Sequence, residues 1–235
     1  MKIYVDLHIH TALSPCGDND MTPNNIVNMA FLKGLDAIAI TDHNSSENVK
    51  ACIDVGKRVG ITVIPGMELQ TKEDIHVICL FKNIDFAMTF QDYVYNNLTT
   101  DKNNEEIFGK QIIYDEEDNI IGYNDKLLLA SSNISFDEAF YKVKELDGVF
   151  IPAHVDRDSF SVISNLGFIP DYLDIKTIEY NSLEKLKKFI EVGIINKNYK
   201  FIKSSDAHNL GRILERKNGI SAKNIAINAI FNALN

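Results

Sequence analysis

The chain has 235 residues and six histidines, and each histidine borders a short apolar run. His8 and His10 close KIYVDLHIH, His43 follows AIAITD, His76 opens HVICLF, His154 ends VFIPAH, and His208 follows FIKSSDA. In the first run Asp6, His8 and His10 share one parity while Ile3, Val5, Leu7 and Ile9 hold the other. Side chains alternate across a strand, so both imidazoles are expected on one face with their nitrogens converging on one ion. Neutral imidazole is a good ligand for zinc, iron or manganese. Carboxylates fall at matching places: Glu68 after VIPGM, Asp206 two residues before His208, Asp42 beside His43, and Asp18 and Asp20 in the first loop. A carboxylate can bridge two cations and hold them close against their mutual repulsion, a role open to Glu68 and Asp206.

Any one of these histidines, taken alone, reads as structural, because histidine is moderately common in protein interiors. Together they do not. None lies on a presumed exposed helix, and an acidic residue accompanies nearly every one, which points to a metal cluster. Cys16, Cys52 and Cys79 form no close pair and are odd in number, which argues against a disulfide framework or a zinc ribbon. Cys16 reads first as part of a Pro-Cys-Gly turn. Glu179, near the end of IKTIEY, could reach the site, and reads equally as a carboxylate that is solvated or backs up a ligand.

The elements that must carry these residues alternate between β-rich runs and segments of helical spacing, which implies a mainly parallel sheet. Strands are expected at Lys2 to His10, Asp36 to Thr41, Thr62 to Pro65, His76 to Phe81, Val149 to Ala153, Ile175 to Tyr180 and Phe201 to Ser205. Seven such runs suggest an α/β barrel over residues 1–235 as one domain. Five of the six histidines then sit where strands end, the face of parallel barrels that holds active sites. His76, at a strand start, is the exception. Thr22 with Pro23 opens a helix that Gly34 ends, and Ser135 with Glu138 has capping-box spacing. Ser182 and Ser221 are expected to start two more helices. Between about 98 and 133 the rhythm breaks, and IIYDEEDNIIG reads as two short strands around a solvated acidic turn. This excursion lacks His and Cys, so it can shape access but supplies no imidazole or thiolate.

A hydrophobic content of 45% supports a sizeable core. No run approaches the roughly 20 apolar residues of a membrane span, and the start lacks a signal-peptide pattern, so no membrane partner and a cytoplasmic location are expected. The net charge of −9 disfavours a long nucleic-acid groove and favours a small phosphorylated substrate.

Taken in order, DLHIHTALSP, AIAITDHNS, GMEL, IHVICLF, IPAHVDR and SSDAH resemble the PHP family, the polymerase and histidinol phosphatase superfamily, across nearly the whole chain. The resemblance implies a distorted (βα)7 TIM-like barrel with a small insertion, holding two or three Zn, Mn or Fe ions. It implies that His8, His10, Glu68 and Asp206 hold one ion, that Glu68 bridges to a second held by His76 and His154, and that His43 and His208 hold a third. An acidic residue after the HxH pair completes the third site in relatives. Here the loop reads SPCGDNDMTP, and counting back from Thr22 and Pro23 favours Asp18, with Asp20 and Cys16 as alternatives.

Such a cluster supplies its own nucleophile, a metal-bridging hydroxide aimed at a phosphate, so no side chain is needed in that role. Asp42 is expected to accept an N–H from a ligand histidine and fix its tautomer. Arg157 and Arg212, close after His154 and His208, are candidates for a second phosphate or the leaving group. The expected function is hydrolysis of a phosphomonoester in a small metabolite or nucleotide. Two other readings compete: an amidohydrolase-type metal hydrolase, which typically bridges its metals with a strand lysine, and a non-enzymatic metal-binding module.

Overall fold

Each of the seven expected runs forms a strand, though not all run the same way. The computed structural model describes residues 1–235. Its elements are β1 (Lys2–Ile9), α1 (Pro23–Leu32), β2 (Ala37–Ile40), α2 (Val49–Val59), β3 (Thr62–Gln70), β4 (His76–Leu80), α3 (Ile84–Tyr95), α4 (Glu105–Phe108), β5 (Ile112–Tyr114), β6 (Ile120–Tyr123), α5 (Phe136–Glu145), β7 (Val149–Pro152), α6 (Val162–Leu166), β8 (Thr177–Glu179), α7 (Leu183–Glu191), β9 (Lys200–Ile202), a 3-10 turn (Leu210–Arg212), β10 (Gly219–Ser221) and α8 (Ile227–Leu234). A curled sheet runs in the order β10-β1-β2-β3-β4-β7, beside two-stranded sheets β5-β6 and β8-β9. Val155 N–H donates to Glu179 C=O, joining the end of β7 to β8, and His10 N–H donates to Ala207 C=O, bringing the segment after β9 onto β1.

The strands β1, β2 and β3 pair in parallel, as do β8 and β9, but β4 runs antiparallel to both β3 and β7. A regular βα repeat therefore does not describe the sheet: β3 and β4 form a hairpin across Thr71–Ile75, with Thr71 N–H on Ile75 C=O and Asp74 at φ +57°. This reversal explains the odd position of His76. The start of an antiparallel strand lies at the end where its parallel neighbours finish, so His76 joins the other histidines.

The first strand corrects the simple alternation expected for it. Its pairing with β2 steps from Asp6–Ile38 to Ile9–Ile40, three residues against two, which is a bulge. Ile3, Val5 and Leu7 accordingly pack with Ala37, Ala39, Ile64, Ile78, Ile151 and Ile202, whereas Ile9 packs on the opposite face with Ile38, Ile40, Ile26 and Val27. His8 and His10 thus follow Leu7 on the inner side, above an apolar plug.

The helix ends follow their local chemistry. Thr22 Oγ1 accepts from Asn25 N–H with Pro23 opening α1, and Ser135 and Glu138 form a reciprocal capping box at α5. Ser182 caps α7 by accepting from Lys185 N–H. Ser221 does not begin a helix. It ends β10, which pairs antiparallel with β1, and α8 begins after Ala226. The excursion does contain the two expected strands, and it packs on the loops after β1 and β2, with Ile112 N–H on Ala12 C=O and Asn48 bonding both Ile112 and Tyr114. No helix is long and apolar enough to cross a membrane.

Candidate metal centre

Glu68 lies at the middle of the cluster. It sits near the end of β3, and its Oε1 is 3.2 Å from His8 Nε2, 2.9 Å from His76 Nδ1 and 3.3 Å from His154 Nε2. Its other oxygen lies 3.3 Å from His10 Nε2 and 3.0 Å from His43 Nδ1. Asp206 Oδ1 closes the opposite side, 3.4 Å from His8 Nε2 and 3.2 Å from His10 Nε2. His208 stacks on His10 with ring centroids 4.2 Å apart, and its Nδ1 bonds Asp206 C=O at 2.9 Å. Backbone strain accompanies this convergence: Asn44, His154, Phe160 and Asp206 all have positive φ, a cost that persists only where surrounding contacts enforce it.

Three groups of ligand atoms lie within 4.8 Å of one another: His8, His10, Glu68 and Asp206; His43, Glu68 and His76; and His10, His43 and His208. The first is the set expected. In the second, His43 stands where His154 was expected, although His154 Nε2 still contacts Glu68. In the third, His10 stands where Asp18 was expected. Asp18 is exposed and belongs to no group, as is Asp20. Tight turns explain this: Gly17 N–H bonds Ser14 C=O and Met21 N–H bonds Asp18 C=O, so Asp18 meets the His208 segment through its backbone N–H, at 2.8 Å from His208 C=O. From this loop it is the Cys16 side chain that lies against the His43 ring.

The donor set fits divalent cations on two observations. Of six buried side-chain polar atoms without a hydrogen-bond partner, four are here: His43 Nδ1, His76 Nδ1, His154 Nδ1 and Glu68 Oε2. His43 Nδ1 and Glu68 Oε2 face each other at 3.0 Å without hydrogen-bond geometry, an arrangement that an ion between them would satisfy. Charge tells the same story. Burial pushes the His10 pKa down, but Asp206 and Glu68 outweigh it and raise it to about 9. Burial likewise opposes a charge on His43, and Glu68 lifts it to about 9. His8 is also raised, against burial, by Glu68, Glu179 and Asp206. Burial would raise Glu68, yet His76, His8 and His43 hold it well below the usual carboxylate range. The carboxylates thus favour positive charge on the rings of His8, His10 and His43, the charge a bound cation would supply. His76 and His208 differ, because burial lowers each to about 4.

The residues behind the ligands are partly those expected. Glu179, at the end of β8, accepts from His8 Nδ1 at 3.0 Å and from His154 N–H at 3.0 Å, which leaves His8 Nε2 for the cluster. Asp42 contacts no imidazole, contrary to expectation. It accepts from Thr11 N–H and from the Thr11 and Ser14 hydroxyls, and Ser14 Oγ in turn accepts from His10 Nδ1 at 3.0 Å. Asp42 therefore reaches His10 through Ser14, a residue the sequence reading missed. Asp6 was also passed over: its carboxylate accepts from Ser205 N–H and Leu214 N–H, anchoring the Asp206 segment, and burial raises its pKa to about 6.

Arg157 and Arg212 both border the centre. Arg157 Nη1 donates to Asp206 Oδ2 at 2.7 Å, and the two arginines line one cleft with Lys203, Asn181, Ser204 and Ser205, about 560 Å³ in volume. Asp206 thus forms a shared wall, with one oxygen toward the histidines and the other toward the cationic cleft.

Residues 6–165, more than half of the chain, match the PHP domain, and the chain belongs to that family. Over 88 residues it is 38% identical to an uncharacterized protein of Methanocaldococcus jannaschii, covering 34% of this chain and 51% of that protein. It is 34% identical over 90 residues to the 5'-3' exoribonuclease Rnm of Salmonella typhimurium, covering 36% of this chain and 29% of that enzyme. The matched stretch thus spans about half of the first relative and under a third of the second. Among solved structures, the lesion-specific endonuclease PfuEndoQ from Pyrococcus furiosus superposes with a TM-score of 0.70 at 20% identity, over 100% of this chain and 56% of that one. That likeness shows the shared fold.

Proposed function

We propose that the protein hydrolyses phosphoric esters with two or three divalent cations held by His8, His10, His43, Glu68, His76, His154, Asp206 and His208. The observation that carries this reading is a buried carboxylate, Glu68, set among five imidazoles, with the partnerless Nδ1 atoms of His43 and His76 facing it. Divalent cations bound there supply Lewis acidity toward a phosphate and make water available as a nucleophile near neutral pH. The chain's own residues do the rest: Glu179 and the Ser14–Asp42 pair fix the rings of His8 and His10, and Arg157, Lys203 and Arg212 offer a cleft for a second anionic group.

The substrate favoured is a phosphoester of nucleotide size, with a monoester first. The cleft volume lies within the roughly 300–1,000 Å³ typical of small-ligand pockets. The net charge argues against an extended duplex groove, but relatives named for cutting nucleic acid weaken that argument against a nucleotide unit. An amide-hydrolysing reading is disfavoured because Glu68, rather than a lysine, is shared by two ligand groups, while Lys203 lines the neighbouring cleft and belongs to no ligand group.

Phosphate release from a broad panel of mono- and diesters, with Mn and with Zn, tests this, repeated on His8→Ala and Glu68→Ala. Release by the wild type and loss in both variants is expected. Silence across the whole panel would hand the case to a non-enzymatic metal-binding module, and activity surviving both substitutions would refute the site.

A further inference from the structure

We propose that Phe160 is a stacking platform for a planar heteroaromatic ring in the ester, so that nucleotides rather than sugar or polyol phosphates are the substrate class. The inference rests on the phosphoester reading above. The edge of the cluster that solvent reaches is made by His208, Asp206, His76 and His43, whose side chains are 27%, 15%, 10% and 8% exposed, against 0% at His8 and His154 and 1% at Glu68. A substrate phosphate must cross that edge. The loop from His154 to Ser161 flanks it, placing Arg157 on Asp206 and Phe160 on His76.

The Phe160 ring lies nearly parallel to the His76 imidazole, centroids 4.9 Å apart and planes 21° apart, and the residue is 39% exposed. One face of the ring is thus taken and part of it remains open to solvent beside the entry edge. Its backbone is at φ +54°. Seven non-glycine residues have positive φ, and the other six are Asn, Asp or His, the types that tolerate this region; a bulky side chain there is an outlier. The loop is held so by His76 N–H donating to Phe160 C=O at 3.0 Å and by Ser161 Oγ donating to Arg157 C=O at 2.8 Å. An apolar ring held at energetic cost on the rim of a polar site, three residues from an arginine, matches the joint needs of a base and its phosphate. Stacking of a base on an aromatic face is tolerant of base identity because every base has a π-face.

The test compares a nucleoside monophosphate with ribose 5-phosphate, which keeps the sugar and phosphate but lacks the base, on the metal-loaded protein. Phe160→Leu keeps an apolar cover over His76 but removes the aromatic face, and Phe160→Trp keeps both. In Phe160→Leu the nucleotide KM is expected to rise about 5- to 150-fold more than the KM for ribose phosphate, the worth of one stacked base; Phe160→Trp should keep the wild-type ratio of the two. Binding is read separately from quenching of a 2-aminopurine nucleotide, present in the wild type and lost in Phe160→Leu. Equal changes for both substrates, or no quenching in the wild type, would show that the ring only covers His76 and overturn the proposal. Quenching without phosphate release from either compound would sustain the platform and overturn the hydrolase reading instead.

Discussion

Replacing Glu179 separates what orients His8 from what merely surrounds it. Its Oε2 accepts from both His8 Nδ1 and His154 N–H, and the carboxylate is buried. In Glu179→Ala both donors lose a charged acceptor, at about 1.5–3 kcal/mol each, or roughly 3–6 kcal/mol in all. That is a large share of a total stability of about 5–15 kcal/mol. Glu179→Gln, with its amide oxygen at the Oε2 position, keeps both bonds but loses the negative charge. The expected result is a near-normal melting temperature with metal affinity down about tenfold in Glu179→Gln, and about a hundredfold loss with a strongly lowered melting temperature in Glu179→Ala. Metal titration with a competing chelator, run beside thermal melts, reads both quantities. Wild-type metal affinity in Glu179→Ala would refute the assignment, because His8 would then need no partner to present Nε2.

Two further outcomes follow from the same geometry. In the metal-free protein His10 and His43 titrate at about 9 against 6.5 when unfolded, so their stabilising contribution is full below pH 6.5 and is lost as pH rises through 9, up to about 3 kcal/mol for each. Calorimetry of chelator-treated protein should show a lower melting temperature at pH 9.5 than at pH 6.5, and a flat or rising profile would count against the charge assignment. Gly66 approaches its neighbours so closely that an added Cβ would lie 2.9 Å from Leu80 Cδ2 and Thr41 Cγ2; Gly66→Ala should cost about 1–3 kcal/mol by overpacking and weaken metal binding by displacing Glu68. Unchanged metal content in a destabilised variant would show that the strand absorbs the insertion without moving the carboxylate.

The convergence of the histidines could be read largely from spacing, because histidines at strand ends leave a local mark beside apolar runs. Direction and register did not leave one. Nothing in IHVICLF marks β4 as antiparallel, so His76 looked misplaced until the hairpin put it at the same end as Glu68. The bulge in β1 was hidden because both faces of that strand are buried, which leaves no polar face to betray the shift in parity. Asp18 was favoured by counting along a loop whose two tight turns expose its carboxylate, and Asp42 was given a contact that Ser14 actually makes. Ser221 has the chemistry of a helix cap, but pairing with β1 overrode it. Long-range pairing decided the direction of β4, the register of β1 and the fate of Ser221, whereas local turns and a hydroxyl decided Asp18 and Asp42.

The seam where the curled sheet meets the segment after β9 gives the metal centre a second consequence. Two backbone bonds tie β1 to that segment, His10 N–H to Ala207 C=O and Ala207 N–H to His8 C=O, and a third joins Asp18 N–H of the following loop to His208 C=O, with Asp6 holding Ser205 from 199 positions away. Closing so long a loop costs about 5 kcal/mol in chain entropy, and the proposed ligands His8, His10 and Asp206 straddle the join. Cations bound there would act as a clasp between residues 8–10 and the segment around Asp206. Stripping them should loosen this join before any helix melts, so that the earliest amides to exchange lie at residues 204–208 rather than in the apolar plug.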